Sequence, residues 1–482
     1  MSQLVEVDAI SEVDEVFIHR CFLAQADQAM RLRSSTALMR IAGLKRLRHA
    51  LLASREALYQ AFQGDFRKPA TEVELTEILP VLDEIRHAIQ HLGRWMRPRR
   101  AATTLMSLGN RGRVEFQPRG RCLIIGPWNY PVATVLGPIV SAIAAGNTVV
   151  CKPSEYTPAV NRVLSDIITS AFERHTVELV TGGVPTATAL LKLPFDHIFF
   201  TGSPSVGRIV MAAASRHLTS VTLELGGKSP VVVGESADLK RAAQLVLWGK
   251  FINAGQSCIA PDYLFVHNRV REAFVEHCRR LLKERYGAGS DDTADHPDLA
   301  RMINRQQAQR VVGLLEEAMA NGVPLLAGGE HDVGQCYIGP TLLGDPGTTT
   351  RIAQEEIFGP VLPVIGFDNV TEVISRINTG PKPLALYIWS RQSAEVRQLL
   401  AQISSGGVCV NQCMQHYTHS NLPFGGVNHS GMGSSHGFFG FRAFSHERAV
   451  LTGGRFTPAQ LLFPPYTASK HRLARMISAL VR

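Results

Sequence analysis

Cys122-Leu-Ile-Ile-Gly-Pro-Trp-Asn-Tyr-Pro131 leads into Val135-Leu-Gly-Pro-Ile-Val-Ser-Ala-Ile-Ala-Ala-Gly-Asn-Thr-Val-Val150. Four apolar residues halted by Gly126 and Pro127 read as a strand and its stop signal. The stretch from Val135 is apolar, yet Gly137, Pro138 and Gly146 interrupt it. It is therefore read as a helix feeding a buried strand and not as a membrane span. Strand, helix, strand is the unit from which parallel sheets are built, because parallel neighbours need a crossover.

The alternation continues outward. The apolar runs Cys122–Ile125, Thr148–Cys151, Val177–Val180, His197–Phe200 and Val221–Leu225 are separated by helix-length stretches. Five strands with four intervening helices predict an α/β fold, a parallel sheet with helices on its faces. Ligands bind such sheets beyond the carboxyl ends of the strands. Asn129 stands there after the first strand, Lys152 and Glu155 after the second, and Gly202 and Ser203 after the fourth. The first hundred residues read as amphipathic helices, with Leu38, Ile41, Leu44, Leu51 and Leu58 on one stripe. From Gly226 to about Gln412 a second α/β unit is expected.

With 482 residues, the chain is too long for one core. A hydrophobic share of 45% and a charged share of 19% describe an ordinary globular protein. The net charge of +9 suits an anionic ligand, but over this length it is weak support for nucleic-acid binding. The densest basic cluster, Arg94 to Arg100, is broken by Pro98 and reads as a solvated linker. Eight cysteines without a C-x-x-C pair fit reduced thiols in the cytoplasm. Cys413, His416 and His419 form a C-x-x-H-x-x-H string, but no second ligand pair stands nearby, so no metal is expected. The acidic start, Met1 to Glu15, is not a signal sequence. Near the end, Leu473, Met476, Ile477 and Leu480 share one face of a short helix beside Lys470, Arg472 and Arg475. That helix is expected to pack on the protein's own surface, with peripheral membrane contact as the alternative.

In Phe251-Ile-Asn-Ala-Gly-Gln-Ser-Cys-Ile-Ala-Pro261, small residues surround Cys258, leaving room for a substrate and for backbone N–H groups to face the sulfur. A reactive thiol must be reachable and partly ionised. Taken singly, a cysteine is more often a small buried hydrophobe. Glu224, in Val221-Thr-Leu-Glu-Leu225, alternates away from Val221, Leu223 and Leu225. A carboxylate inside an apolar strand is costly unless it is used or paired, and burial raises its pKa toward that of a general base. The bland alternative pairs it with a lysine such as Lys228. Thr201-Gly-Ser-Pro-Ser-Val-Gly207 is a strand-glycine-helix junction that could face a pyrophosphate, although it lacks G-x-G-x-x-G.

Together, Pro127-Trp-Asn-Tyr-Pro131, Leu223-Glu-Leu-Gly-Gly-Lys-Ser-Pro230, Asn253-Ala-Gly-Gln-Ser-Cys258 and Glu355-Glu-Ile-Phe-Gly-Pro360 resemble the aldehyde dehydrogenase superfamily in order and approximate spacing. The likeness runs from about Leu38 to about Tyr466. Phe199-Phe-Thr-Gly-Ser203, Lys382-Pro-Leu-Ala-Leu-Tyr387 and Leu422-Pro-Phe-Gly-Gly426 look like its class 3 branch. Leu79-Pro-Val-Leu82 with Arg94-Trp-Met-Arg-Pro-Arg-Arg100 is similar to bacterial coniferyl aldehyde dehydrogenases.

The resemblance implies a variant Rossmann NAD-binding domain (1–102 and 122–225), a second α/β catalytic domain (226–417), an oligomerisation arm (103–121 and 418–455) and a tail (456–482). It implies oxidation of an aldehyde to the acid through a thiohemiacetal and a thioester. Cys258 would be the nucleophile and Glu224 the base. Asn129, which alone would pass for turn material, would be the oxyanion donor. Lys152, Glu155, Gly202, Ser203, Gly207, Glu356 and Phe358 would hold the cofactor. A carboxylate at Glu155 favours NAD over NADP, while class 3 enzymes often use both. The expected partners are a small aldehyde, aromatic or medium-chain apolar, and a second copy of the chain. Trp128, Tyr130 and Met414 would line the substrate pocket. Asn428-His-Ser430 and Gly433-Ser-Ser-His436 depart from the usual class 3 pattern near the presumed substrate mouth. The alternatives are acyl transfer to CoA, a non-catalytic protein on the same scaffold, and, more distantly, a metal-dependent hydrolase built on Cys413 and its histidines.

Overall fold

A computed structural model describes residues 14–287, 296–455 and 457–480. The acidic start therefore lies almost wholly outside the described residues.

All five expected runs form strands of one six-stranded sheet. Its order is Gly431–Met432, Ser220–Leu225, His197–Gly202, Arg121–Ile125, Thr148–Lys152, Val177–Leu179. The five pair in parallel, with Ile125 opposite both Phe200 and Lys152, and Thr201 opposite Glu224. Successive crossovers run first to one side of Arg121–Ile125 and then to the other. That strand is the switch point, where a crevice opens beyond the carboxyl ends. The sixth strand, Gly431–Met432, returns from far along the chain and lies antiparallel to Glu224 and Leu223.

Both faces of this sheet are buried, which is why its strands read as unbroken apolar runs. Cys122 and Ile124 join the core on one face, Leu123 and Ile125 the core on the other. The helix Ala133–Ala145 lies in the first of these cores and ends at Gly146, whose φ of 90° supplies a left-handed cap. Leu44, Leu51 and Leu58 of the N-terminal helices pack there too, whereas Leu38 is 78% exposed, so the predicted stripe begins later than expected. Leu58 also belongs to a separate helix, Arg55–Phe66.

A second, seven-stranded sheet holds Ser229–Val233, Pro261–His267, Val361–Phe367, Ala385–Trp389 and Gly407–Val410 in parallel, with two short strands at one edge. Val231 and Val233 face one core and Val232 another. Outside both sheets, Arg111–Pro118 pairs antiparallel with Arg99–Arg100 and with Ser445–Thr452. The basic cluster is thus more than a linker: Trp95 ends a helix, and the Arg99 guanidinium lies 4.1 Å from the Phe438 ring centre. The C-terminal helix spans Ala468–Leu480 and buries none of its residues. Leu473 and Ile477 are half-buried while Met476 and Leu480 are exposed, so the expected packing is only partial. Among the described residues, no helix is long and apolar enough to cross a membrane.

Candidate active site

The crevice beyond the first sheet is a cavity of about 990 Å³, walled on its other side by the loops of the second sheet. Asn129, Lys152, Glu155, Gly202, Ser203, Glu224, Cys258, Glu356 and Phe358 all line it. Trp128, Tyr130 and Met414 line it as well. Gly207 does not. A Cβ there would sit 2.7 Å from Leu225 Cδ2, so its bare backbone lets the helix Pro204–Ser215 settle on the strand Ser220–Leu225.

Cys258 is partly exposed to the cavity. The N–H groups of Cys258 and Ile259 face its sulfur and favour the thiolate, but burial, then Glu356 and Glu224, push the thiol up to about 12. A thiol held there is protonated at neutral pH, so activation requires a proton acceptor or a cationic neighbour.

The loop before it is bent by three consecutive left-handed residues: Asn253 (φ 54°), Ala254 (φ 52°) and Gly255 (φ 74°). A Cβ on Gly255 would lie 2.4 Å from Gly359 O, so that position admits only glycine. The strain in Asn253 and Ala254 is held by buried hydrogen bonds. Asn253 Nδ2 donates to Asn129 O at 2.9 Å and to Gln256 O at 3.2 Å, and Glu72 accepts from Asn253 N at 2.8 Å. Gln256 Nε2 donates to Asn253 O and Arg301 O, both at 3.0 Å. Asn129, buried, donates one Nδ2 hydrogen to Gln256 O at 3.0 Å. The amide carries a second hydrogen for another acceptor. The sequence carries no signal for the bracing roles of Glu72, Asn253 and Gln256, because their side chains bind backbone groups that only the fold brings within reach.

Glu224 alternates as predicted: Leu223 and Leu225 enter the apolar core, and the carboxyl turns to the cavity. Burial pushes its pKa up to about 8, against the pull of a hydrogen bond from Ser435 Oγ at 3.0 Å. Its Oε2 has no hydrogen-bond partner among the described residues. Lys228 is not its counter-ion. That ammonium pairs with Asp262 and donates to Ile352 O and Glu355 O, and Asp262 in turn accepts from Ile357 N at 2.9 Å. Arg310 donates to Glu356 O and Ile357 O at 3.2 and 2.7 Å. These three charges hold the Glu356–Phe358 segment beside Cys258. Glu356 is also raised to about 8 by burial, then by Asp262, and its Oε1 has no hydrogen-bond partner among the described residues. Phe358 (φ 47°) meets Trp128 edge-on at 5.4 Å.

At the other end, Lys152 is buried and donates to Pro153 O at 3.0 Å and to Glu155 at 3.3 Å. Burial lowers its pKa. Ser203 caps the helix Pro204–Ser215 by accepting from Val206 N. Buried cation, exposed carboxylate, capped helix end and unpartnered Glu356 oxygen lie along one continuous cavity. This donor set fits a dinucleotide: N–H groups for a pyrophosphate, carboxylates for ribose hydroxyls at either end.

Cys413 is buried, His416 Nδ1 lies 3.2 Å from Cys409 Sγ, and His419 is exposed. Among the described residues, no three His, Cys, Asp or Glu side chains are grouped to hold a metal.

A family model described as "Aldehyde dehydrogenase family" matches residues 6–450. The chain is 41% identical to "Aldehyde dehydrogenase family 3 member B1" of Rattus norvegicus, over 94% of this chain and 95% of the rat protein. It is 41% identical to the "Probable coniferyl aldehyde dehydrogenase" of Pseudomonas aeruginosa, over 91% of each. Among solved structures, the substrate-bound state of Staphylococcus aureus AldH aligns with a TM-score of 0.90 and 36% identity, over 95% of this chain and 99% of that one. The NAD+ complex of an aldehyde dehydrogenase from Bacillus cereus aligns with a TM-score of 0.82 and 26% identity, over 91% and 89%.

Proposed function

The chain belongs to the aldehyde dehydrogenase family, and on that premise we propose that it oxidises an apolar aldehyde, aromatic or medium-chain, to the carboxylic acid by covalent catalysis at Cys258. The observation that carries this reading is the convergence of Cys258, Glu224 and Asn129 on one cavity whose far end fits a dinucleotide.

Cys258 Sγ, once deprotonated, adds to the aldehyde carbon and forms a thiohemiacetal. Its oxygen is received by the free hydrogen of the Asn129 amide and by the Cys258 backbone N–H. Removal of one such donor costs roughly 10² to 10³ in rate. NAD, when bound, supplies the acceptor for the hydride that leaves the substrate carbon, and a thioester remains on Cys258. Glu224 then takes a proton from water as the oxygen adds to the thioester; the carbon–sulfur bond breaks and the acid departs. Two easier steps replace one hard one. Lys152 and Glu155 would bind the adenine ribose, the Gly202–Ser203 turn the pyrophosphate, and Glu356 with Phe358 the nicotinamide ribose and ring. The Glu155 carboxylate disfavours a 2′-phosphate, so NAD is the preferred cofactor and NADP the poorer one.

Trp128, Tyr130 and Met414 give the substrate end an apolar, aromatic lining, and the Pseudomonas relative's name points the same way. We extend the reading to a homodimer joined through the exposed three-stranded arm, which sedimentation would check. Eight free cysteines suit a reducing compartment, the cytoplasm.

A panel of aldehydes followed by NADH absorbance, with and without CoA, tests the proposal. Acid should form without CoA, and Cys258→Ala should bind NAD yet yield no NADH from any aldehyde. Dehydrogenation by Cys258→Ala near the parent rate, or strict dependence on CoA, would refute it.

A further inference from the structure

We propose that Ser435 is the positioning residue of the hydrolytic step: its hydroxyl holds one oxygen of Glu224 and leaves the other free to take a proton from water. This rests on the reading of Glu224 as the base.

Ser435 Oγ lies 3.0 Å from Glu224 Oε1, and both residues are buried at the cavity wall that also bears Cys258. Glu224 Oε2 has no hydrogen-bond partner among the described residues. Among the described residues, Ser435 donates to Glu224, while the Cys258 thiol and the Tyr417 phenol lie within reach of its charge and have their pKa values raised chiefly by burial. None of the three is a cation. Among the described residues, the hydrogen-bond stabilisation of a negative charge on Glu224 therefore falls on a single hydroxyl donor.

The chain fixes that hydroxyl in place. Gly431–Met432 pairs antiparallel with Glu224 and Leu223, and Leu225 N donates to Ser430 O at 3.0 Å. Phe424 and Ser435 bridge back to back, N to O at 3.2 and 2.6 Å. A Cβ on Gly426 would lie 1.9 Å from Ser430 O, so the segment is folded tightly on itself. The strand that carries the base and the segment that carries its donor are thus one unit. Ser435 Oγ has one hydrogen and two acceptors, Glu224 Oε1 and Phe424 O at 3.2 Å. A charge-assisted bond is the stronger of the two, so ionisation of Glu224 draws the hydrogen to it. Loss of the hydroxyl should raise the pKa of the base and move the acid limb of hydrolysis upward.

The test uses the full chain and the variants Ser435→Ala, Ser435→Thr and Glu224→Gln. In protein without NAD, the infrared carboxyl band that disappears in Glu224→Gln is titrated. With NAD and an aldehyde that the parent oxidises, single-turnover acid release is followed by rapid quench from about pH 6 to 10. Ser435→Ala should raise both midpoints by about one pH unit, slow acid release about tenfold near pH 7 and converge on the parent at high pH. Ser435→Thr should restore both. Unmoved midpoints in Ser435→Ala, or failure of Ser435→Thr to restore them, overturn the proposal. Acid release by Glu224→Gln at the parent rate would instead remove the base assignment, and Ser435's role with it. A block in Glu224→Gln beside an unmoved Ser435→Ala removes Ser435 alone.

Discussion

Lys68 Nζ lies 2.8 Å from Glu77 Oε1, and both side chains are fully buried. The other Glu77 oxygen accepts from Val132 N and Ala133 N at 3.1 and 3.0 Å, and the ammonium stands 4.3 Å from the centre of the Tyr130 ring. This pair fastens the turn after the first strand, the turn that carries Asn129, to the helices before it. Breaking a buried pair strands the remaining charge, so Lys68→Met should destabilise the protein by about 3–5 kcal/mol in urea unfolding. Lys68→Met with Glu77→Gln should recover part of the loss. A single variant within about 1 kcal/mol of the parent would show that the pair does not anchor the turn.

Stability should fall as pH rises through neutrality. Glu224 and Glu356 move from 4.5 to about 8 on folding, chiefly through burial. Between those values the folded chain holds protons that the unfolded chain has released, so unfolding is favoured as pH rises from about 4.5 to about 8. Glu356→Gln should therefore be more stable than the parent at pH 8.5, by at least about 1 kcal/mol, with the gain shrinking as pH falls from about 8 and gone by about pH 4.5. Thermal or urea melts across that range check the sign. A gain independent of pH would mean that the carboxyl is ionised without penalty in the fold.

Glu155 is the residue on which cofactor choice should turn. Its side chain is 37% exposed and its ion pair to Lys152 is long at 3.3 Å. Glu155→Gln should raise the kcat/KM for NADP relative to NAD about fivefold, the factor that ~1 kcal/mol of repulsion gives. Unfolding stability should change by no more than about 0.5 kcal/mol. An unaltered ratio would place the ribose elsewhere.

The chain's own periodicity determined the parallel sheet and the positions of Asn129, Lys152, Glu155, Gly202 and Ser203 beyond the strand ends, because strand alternation and breaker residues are local signals; the order of the strands, and with it the switch point at Arg121–Ile125, came from the fold. It also determined which way Glu224 points, since adjacent residues of a strand face opposite sides. Tertiary structure alone decided who meets whom across long separations. Ser435 reaches Glu224 from 211 residues away, Lys228 serves Asp262 and not Glu224, and Asn253 braces Asn129 through backbone oxygens. Gly207, read as part of the cofactor turn, lies outside the cavity lining and lets its helix settle against Leu225. Burial likewise belongs to the fold: the same carboxyl is ordinary in a solvated chain and raised to about 8 once two sheets close over it. Pairing and desolvation depend on distance in space, and distance in space is what a linear pattern leaves open.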